Sequence, residues 1–166
     1  MTTTLFYATL LTAALSCALV TGVIFAFAIV VMPGISVLDD RGFLRAFQVV
    51  DAVIQHGSPL FFLVLLGSAV TVCAAAVLGL WSVAGVDRDL VAVAAIVYVV
   101  GVQLPTITVN VPLNNAVQRL DVAAATPEAA RDARLAFEPR WNRWNLVRLL
   151  LALGVTVVLL VVALRV

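Results

Sequence analysis

The chain consists of long apolar runs separated by short polar segments, and four of the runs are long enough to cross a membrane. They cover about residues 5–32, 59–83, 90–111 and 146–164. About 20 consecutive apolar residues cross the hydrocarbon core of a bilayer as an α-helix. The pattern predicts an all-α protein, in which residues 1–166 form one integral membrane domain built as a four-helix bundle.

Two of the polar connections have helical patterns of their own. The first separates apolar from polar positions at helical spacing, which predicts an amphipathic helix in the membrane interface or folded over the bundle mouth. Its apolar face carries Phe43, Phe47, Val50 and Ile54, and its polar face carries Arg41, Arg45, Gln48, Asp51 and Gln55. The third connection contains Thr126-Pro127-Glu128, a typical helix start. We expect a short extramembrane helix there, ending near Pro139.

Composition and charge support the membrane assignment and indicate an orientation. The chain is 64% hydrophobic and 11% charged, and its net charge of +1 gives no basic footprint for nucleic acid. The first and third connections share one side of the membrane and hold most of the arginines: Arg41, Arg45, Arg119, Arg131, Arg134, Arg140 and Arg143. The positive-inside rule predicts that these connections are cytoplasmic and both termini outside, in a bacterial inner membrane.

Polar side chains interrupt the third apolar run at its arginine-rich end. Pro105 and Pro112 each remove a backbone donor, and Asn110 and Asn114 lie one helical turn apart beside the second proline. Amides at membrane depth need partners, so we expect both asparagines to point into the bundle. They could line a site, or they could only satisfy the interrupted backbone and hold helices together.

The fourth run begins with a polar and aromatic stripe. Trp141, Trp144, Asn145 and Arg148 follow at i, i+3, i+4 and i+7, so they share one helix face. Tryptophans at headgroup level and a snorkelling arginine would explain part of the stripe. An asparagine on the same face and polar groups on the third run favour an inward-facing site.

Few groups on the chain could transfer a proton. His56 is the only histidine, and Asp51 lies on the polar face of the amphipathic helix. Either could be a general base, or both could simply be solvated. No sequence motif for zinc, haem, di-iron or nucleotide binding is present, so we expect no metal and no cofactor.

Four landmarks together resemble the DUF1772 family, also called the anthrone oxygenase family. They are "GVIFAFAIVVMPG", "FQVVDAVIQHGSPLFF", "VNVPLNNAV" and "RWNRWNLVR", in this order along nearly the whole chain. The elements "VPLN" and "W-x-x-WN-x-x-R" are the most specific. The family tends to have asparagine three residues after the glutamine of the second landmark, whereas this chain has Asp51.

The resemblance implies a small four-helix membrane protein, similar to enzymes that oxidise anthrones to anthraquinones with O₂ and no added cofactor. The expected substrate is a lipophilic polycyclic phenol or ketone. Catalytic roles would fall to Asp51, His56, Asn110, Asn114 and Arg148, and substrate contacts to Gln48, Trp141, Trp144 and Asn145. The alternatives are a non-catalytic membrane module whose polar cluster stabilises the bundle or binds a partner and, less favoured, a small-molecule carrier.

Overall fold

The computed structural model describes residues 2–165, without the side chains of Thr2, His56 and Gly57. It contains five helices, here named α1 to α5. Helix α1 runs from Thr2–Ala26 through Phe27–Val31 to Met32–Ser36; α2 is Asp40–Gly57; α3 is Pro59–Ser82; α4 runs from Gly85–Val97 through Tyr98–Gln103 and Thr106–Asn110 to Val111–Gln118; and α5 is Pro127–Arg165.

The predicted fold class is confirmed. The described residues are helical with short connections, and α1, α3, α4 and α5 are long and apolar enough to span a membrane. The predicted helix start at Thr126 is also present, and Ser58 forms a similar start for α3. The Ser58 hydroxyl accepts the amide of Phe61 at 3.2 Å, and the Thr126 hydroxyl accepts the amide of Ala129 at 3.2 Å. Each hydroxyl satisfies a backbone donor that has no partner inside its helix.

The predicted end of the extramembrane helix near Pro139 is wrong. Helix α5 continues through this proline, so the extramembrane segment and the fourth span are one helix of 39 residues. Proline removes the hydrogen bond to the carbonyl four residues earlier. Both Pro139 and Leu135, which carries that carbonyl, are exposed, so the carbonyl lies on the outward face of the helix. The helix can therefore tolerate the missing bond here.

The spans form a ring in which α1 packs against α3 and α5, while α4 closes the other side between α3 and α5. The shared core is apolar, with Leu10, Val72 and Leu159 fully buried. One polar pair bridges it, because the hydroxyls of Ser68 on α3 and Tyr98 on α4 lie 2.7 Å apart. This pair connects the two helices at mid-depth.

Helix α2 lies over the arginine-rich end of the bundle, which resolves the two placements left open by its sequence. Phe43 and Phe47 of its apolar face pack on Phe137 of α5, with ring centroids 6.2 and 4.5 Å apart. Arg134 of α5 donates to the Leu38 carbonyl at 3.0 Å and contacts the carboxylate of Asp40 at 3.3 Å. The two long connections are thereby held together at one end.

Each of the three π-helical segments is followed by a proline at the second residue beyond its end. Phe27–Val31 precedes Pro33, Tyr98–Gln103 precedes Pro105, and Thr106–Asn110 precedes Pro112. A proline ring clashes with the carbonyl one turn earlier in a regular α-helix. A wider turn relieves this clash without ending the helix, and such turns occur frequently at functional sites. The prolines therefore widen α1 and α4 locally and do not break them.

We predict that Leu159→Ala destabilises the bundle and that its neighbour Leu160→Ala does not. Leu159 is fully buried, whereas Leu160 faces outward. Because lipid is as apolar as the core, the truncation costs only the packing contacts that the leucine made. We therefore expect the free energy of unfolding to fall by about 2 kcal/mol, at the lower end of the range for leucine truncation. Unfolding by a denaturing detergent measures the difference, and equal effects of both substitutions would contradict the packing described.

Candidate active site

A cavity of about 310 Å³ lies beneath α2, and every one of the five helices contributes to its lining. This volume is at the lower end of the range for small-molecule pockets, about 300–1,000 Å³. Much of its wall is apolar, from Val20, Val23, Ile24, Phe27, Ile54, Phe61, Phe62, Leu65 and Val111. Its polar side chains all come from α2, α4 and α5. The combination is typical of a pocket for a largely apolar small molecule.

Arg148 supplies a buried positive charge on one wall. Its side chain donates to the hydroxyl of Thr106 at 2.8 Å and to the amide oxygen of Asn145 at 2.9 Å. Asn145 is held in turn, because its amide nitrogen donates to the Ile24 carbonyl at 3.1 Å. Arg148 is 6% exposed and forms no ion pair with any acid whose side chain is described. Its charge is therefore fixed in position and is balanced by neutral dipoles alone.

Two groups on this side of the cavity have free hydrogen-bonding capacity. The Nε atom of Arg148 has no partner among the described residues, and neither does the nitrogen or the oxygen of the Asn110 side-chain amide. All three atoms are buried in residues that line the cavity. Buried polar groups normally have partners, and leaving one without a partner costs stability. These atoms therefore have hydrogen-bonding capacity that no described residue uses.

Asp51 lies on the α2 side of the cavity and is 1% exposed. Its Oδ1 atom accepts from Asn114 at 2.7 Å, and its Oδ2 atom accepts from Gln55 at 2.7 Å and from Gln118 at 2.8 Å. A carboxylate has about four acceptor positions, so three donors leave about one position free. Since Oδ2 has two donors and Oδ1 has one, the free position is on Oδ1. That oxygen can accept a proton.

Trp141 fixes the orientation of the amide that contacts Asp51. Its indole N–H donates to the oxygen of Asn114 at 2.8 Å, so the nitrogen of Asn114 is directed to the carboxylate. The Trp141 ring is packed against Phe27 and Phe47, with centroids 5.6 and 5.8 Å away. The indole is thus held by aromatic contacts on two sides. One continuous network connects α5, α4 and α2 through these side chains.

The structure brings together most of the residues singled out in the sequence. Six of them line the cavity: Asp51, Asn110, Asn114, Trp141, Asn145 and Arg148. Gln48 does not; its amide donates to the carbonyls of Val117 and Leu120 at 2.8 and 2.9 Å and so holds α2 to the end of α4. Trp144 is half-buried and lies outside the lining. The side chain of His56 lies outside the described residues.

The polar members of the site that sequence analysis missed include Thr106 and Gln118. With Asn110 and Asn114 they follow at intervals of four residues along α4, so they form one polar stripe. That spacing could have revealed them. The two prolines predicted an interruption of this helix, whereas the widened turns keep the helix and its polar stripe continuous. Among the described side chains, no three histidines, cysteines or carboxylates lie close enough together to bind a metal ion.

The match to a known family covers α3, α4 and most of α5. The family model of the anthrone oxygenases matches residues 59–158, which is more than half of the chain. The chain belongs to the anthrone oxygenase family. The resemblance seen in the sequence is thereby confirmed, and the matched part includes Asn110, Asn114, Trp141 and Arg148. No curated protein and no solved structure matches this family member significantly.

The remaining part of the cavity comes from outside the matched range. Helix α2 supplies Asp51, Ile54 and Gln55, and α1 supplies the apolar wall around Phe27. The arginine and amide side of the site therefore lies within the family match, whereas the carboxylate side does not.

We predict that Trp141→Phe destabilises the network by about 1 kcal/mol, the usual net contribution of one buried hydrogen bond. Phenylalanine keeps an aromatic ring between Phe27 and Phe47 but cannot donate to Asn114. Trp144→Phe is the matched control, since Trp144 lies three residues further along α5 and outside the cavity lining. Thermal unfolding in detergent measures both variants. A Trp144 variant that loses as much stability as the Trp141 variant would contradict this assignment.

Proposed function

We propose that this family member is a cofactor-independent oxygenase that oxidises an anthrone-like polycyclic phenol or ketone with O₂. The observation that carries the proposal is the arrangement of charge in one apolar cavity. Arg148, without an acidic partner among the described residues, lies on one wall, and Asp51, with a free acceptor position, lies on the α2 side. An anthrone presents a ketone oxygen and an acidic CH₂ group at opposite positions of its central ring. In this proposal Arg148 binds the ketone oxygen and Asp51 takes a proton from the CH₂ group.

The first step we propose is removal of a proton from this CH₂ group. Asp51 accepts the proton at Oδ1, and the electron pair of the broken C–H bond moves into the ring system to form an enolate. Donors that are already in place where negative charge develops are the most effective, because they need no reorganisation. The guanidinium of Arg148 and the amide of Asn110 are such donors for the enolate oxygen. The surrounding apolar wall strengthens these contacts by excluding water.

The enolate can then reduce O₂ without another electron donor. One electron passes to O₂, and the resulting radical pair combines to form a C–O bond, giving a peroxide anion at the former CH₂ carbon. The proton held by Asp51 passes to this anion and gives a hydroperoxide. Loss of the second hydrogen from that carbon and cleavage of the O–O bond give a carbonyl and water. The sum is anthrone plus O₂ to anthraquinone plus water. All four electrons required by O₂ come from the substrate, so the reaction balances without a cofactor.

The same proposal assigns the site to one side of the membrane. The cavity lies at the end where α2 and the third connection meet, and this end holds most of the arginines. By the positive-inside rule we place this end in the cytoplasm and both termini outside. In this orientation the network around Asp51 lies near the cytoplasmic surface.

We predict that Arg148→Gln lowers kcat by about 100-fold or more, the usual effect of losing one donor to a developing oxyanion. Glutamine keeps hydrogen-bonding capacity but removes the charge. Arg143→Gln is the matched control, because Arg143 is exposed on the same helix. O₂ consumption with emodin anthrone, corrected for spontaneous oxidation, measures both variants. Equal activity of the Arg148 variant and the control would refute the oxyanion role.

We predict that Asp51→Asn lowers kcat by about 100-fold or more, the contribution of a positioned general base. The NH₂ group of the new asparagine would also face one of the three amide donors that contact Asp51. Two donors cannot form a hydrogen bond with each other, so the thermal stability of the variant should fall as well. The pH dependence of kcat separates the two effects. Loss of the general base removes the rise of kcat with pH, whereas a structural defect lowers kcat by the same factor at every pH. Full activity of this variant would exclude Asp51 as the base and favour the asparagine more usual in the family.

The non-catalytic alternative predicts a different outcome for the same variants. If the polar network serves only to hold the helices together, Asp51→Asn and Arg148→Gln change the unfolding midpoint and nothing else. No O₂ consumption above the spontaneous rate would then be seen with the unmodified protein. Measurement of stability and O₂ consumption on one set of samples decides between the two functions.

A further inference from the structure

The polar and apolar parts of the cavity lining differ in their exposure. Four polar lining residues are buried, namely Asp51, Asn110, Asn145 and Arg148, and the others are half-buried. Three lining residues reach the outer surface of the molecule, and all three are apolar: Val23 is 37%, Phe62 43% and Val111 40% exposed. The most exposed part of the lining is therefore hydrocarbon.

The helices leave an opening at this level because α3 and α4 separate. They are joined at Ser68 and Tyr98 and again at Gln103, whose amide donates to the Leu65 carbonyl at 3.3 Å. Beyond Gln103, α4 packs against α2 and α5. The last contact between the two helices is the one between Leu65 and Gln103. Phe62 precedes Leu65 on α3, and Val111 follows Gln103 on α4, so both lie beyond this contact. These two side chains are therefore on either side of the separation.

The surface around this opening is apolar as well. Leu63 and Leu66 on α3, and Leu104 and Ile107 on α4, are each at least half exposed. Phe62 is in the first turn of the second span, where the chain enters the apolar layer. An exposed apolar surface of this kind on a membrane-spanning helix is in contact with lipid. The surface on both sides of the separation between α3 and α4 is therefore apolar and exposed.

We infer that substrate enters and product leaves sideways, through a lateral portal between α3 and α4 rimmed by Phe62 and Val111. The inference rests on the proposed function and narrows its substrate class to neutral polycyclic aromatics dissolved in the bilayer. Flat aromatics with a polar edge concentrate where hydrocarbon meets the headgroups. A water-soluble anion would have to lose its hydration at an apolar rim before it reached Arg148.

Two rim variants with opposite effects test the portal. Val111→Phe narrows it and should slow both association and dissociation of a ligand by about tenfold, whereas Phe62→Ala widens it and should speed up both, as for other gating residues. The Kd is the ratio of the dissociation and association rate constants. Because both rate constants change in the same direction, the Kd should change much less than either of them. Ile107→Phe is the matched control, since Ile107 is exposed on α4 one turn before Val111 and does not line the cavity.

The measurement is stopped-flow quenching of tryptophan fluorescence by emodin delivered in lipid vesicles to the full chain in vesicles, since Trp141 lines the cavity. Opposite rate changes in the two rim variants, with the control unchanged, support the portal. Rates equal to those of the unmodified protein, or a change in Kd alone, overturn it. If one rim variant does not fold, the other decides.

The same data separate failure of the portal from failure of the proposed function. Emodin binding that depends on Arg148 but not on the rim would leave the proposed function standing and remove the portal. Rim-dependent binding without O₂ consumption above the spontaneous rate would support the portal and remove the oxygenase. If emodin does not bind to the unmodified protein, both are wrong.

Discussion

Burial of the Arg148 guanidinium without an acidic partner among the described residues determines how the rest of the site is arranged. A charge inside an apolar bundle has to be compensated by dipoles that cannot move away, and here the Thr106 hydroxyl and the Asn145 amide provide them. A further hydrogen bond holds each of these groups in place. Asn145 donates to the Ile24 carbonyl, and the Thr106 hydroxyl donates to the Val102 carbonyl at 2.7 Å. The helices α1, α4 and α5 are therefore held around one positive charge.

The separation of the two ionised groups is as important as their presence. An ion pair between Asp51 and Arg148 would neutralise both groups and leave little for a substrate to bind. Asp51 instead takes its three hydrogen bonds from the neutral amides of Asn114, Gln55 and Gln118. The space between the two groups is bounded by apolar side chains and by the unpaired amide of Asn110. No described side chain uses this remaining hydrogen-bonding capacity.

Hydrophobic periodicity was sufficient to predict the spans, the amphipathic helix and the inward stripe of α5, because these features follow from local spacing alone. The continuity of α5 through Pro139 was not predicted, since whether a proline ends a helix depends on where the freed carbonyl points. Trp144 was expected in the site because it lies on the same helix face as Trp141. Only part of that face lines the cavity, and Trp144 lies outside that part. Gln118 was missed because its role depends on Asp51, which is 67 residues away.

The most direct test of the account is the ionisation of emodin bound in the cavity, followed by visible absorption during a pH titration. The account predicts that the protein lowers the apparent pKa of the bound phenol relative to emodin in vesicles of the same lipid, because Arg148 and Asn110 stabilise the oxyanion. The shift should be lost in the Arg148→Gln variant. A bound phenol whose pKa is unchanged or raised would show that the guanidinium does not face the ligand, and the account would be wrong.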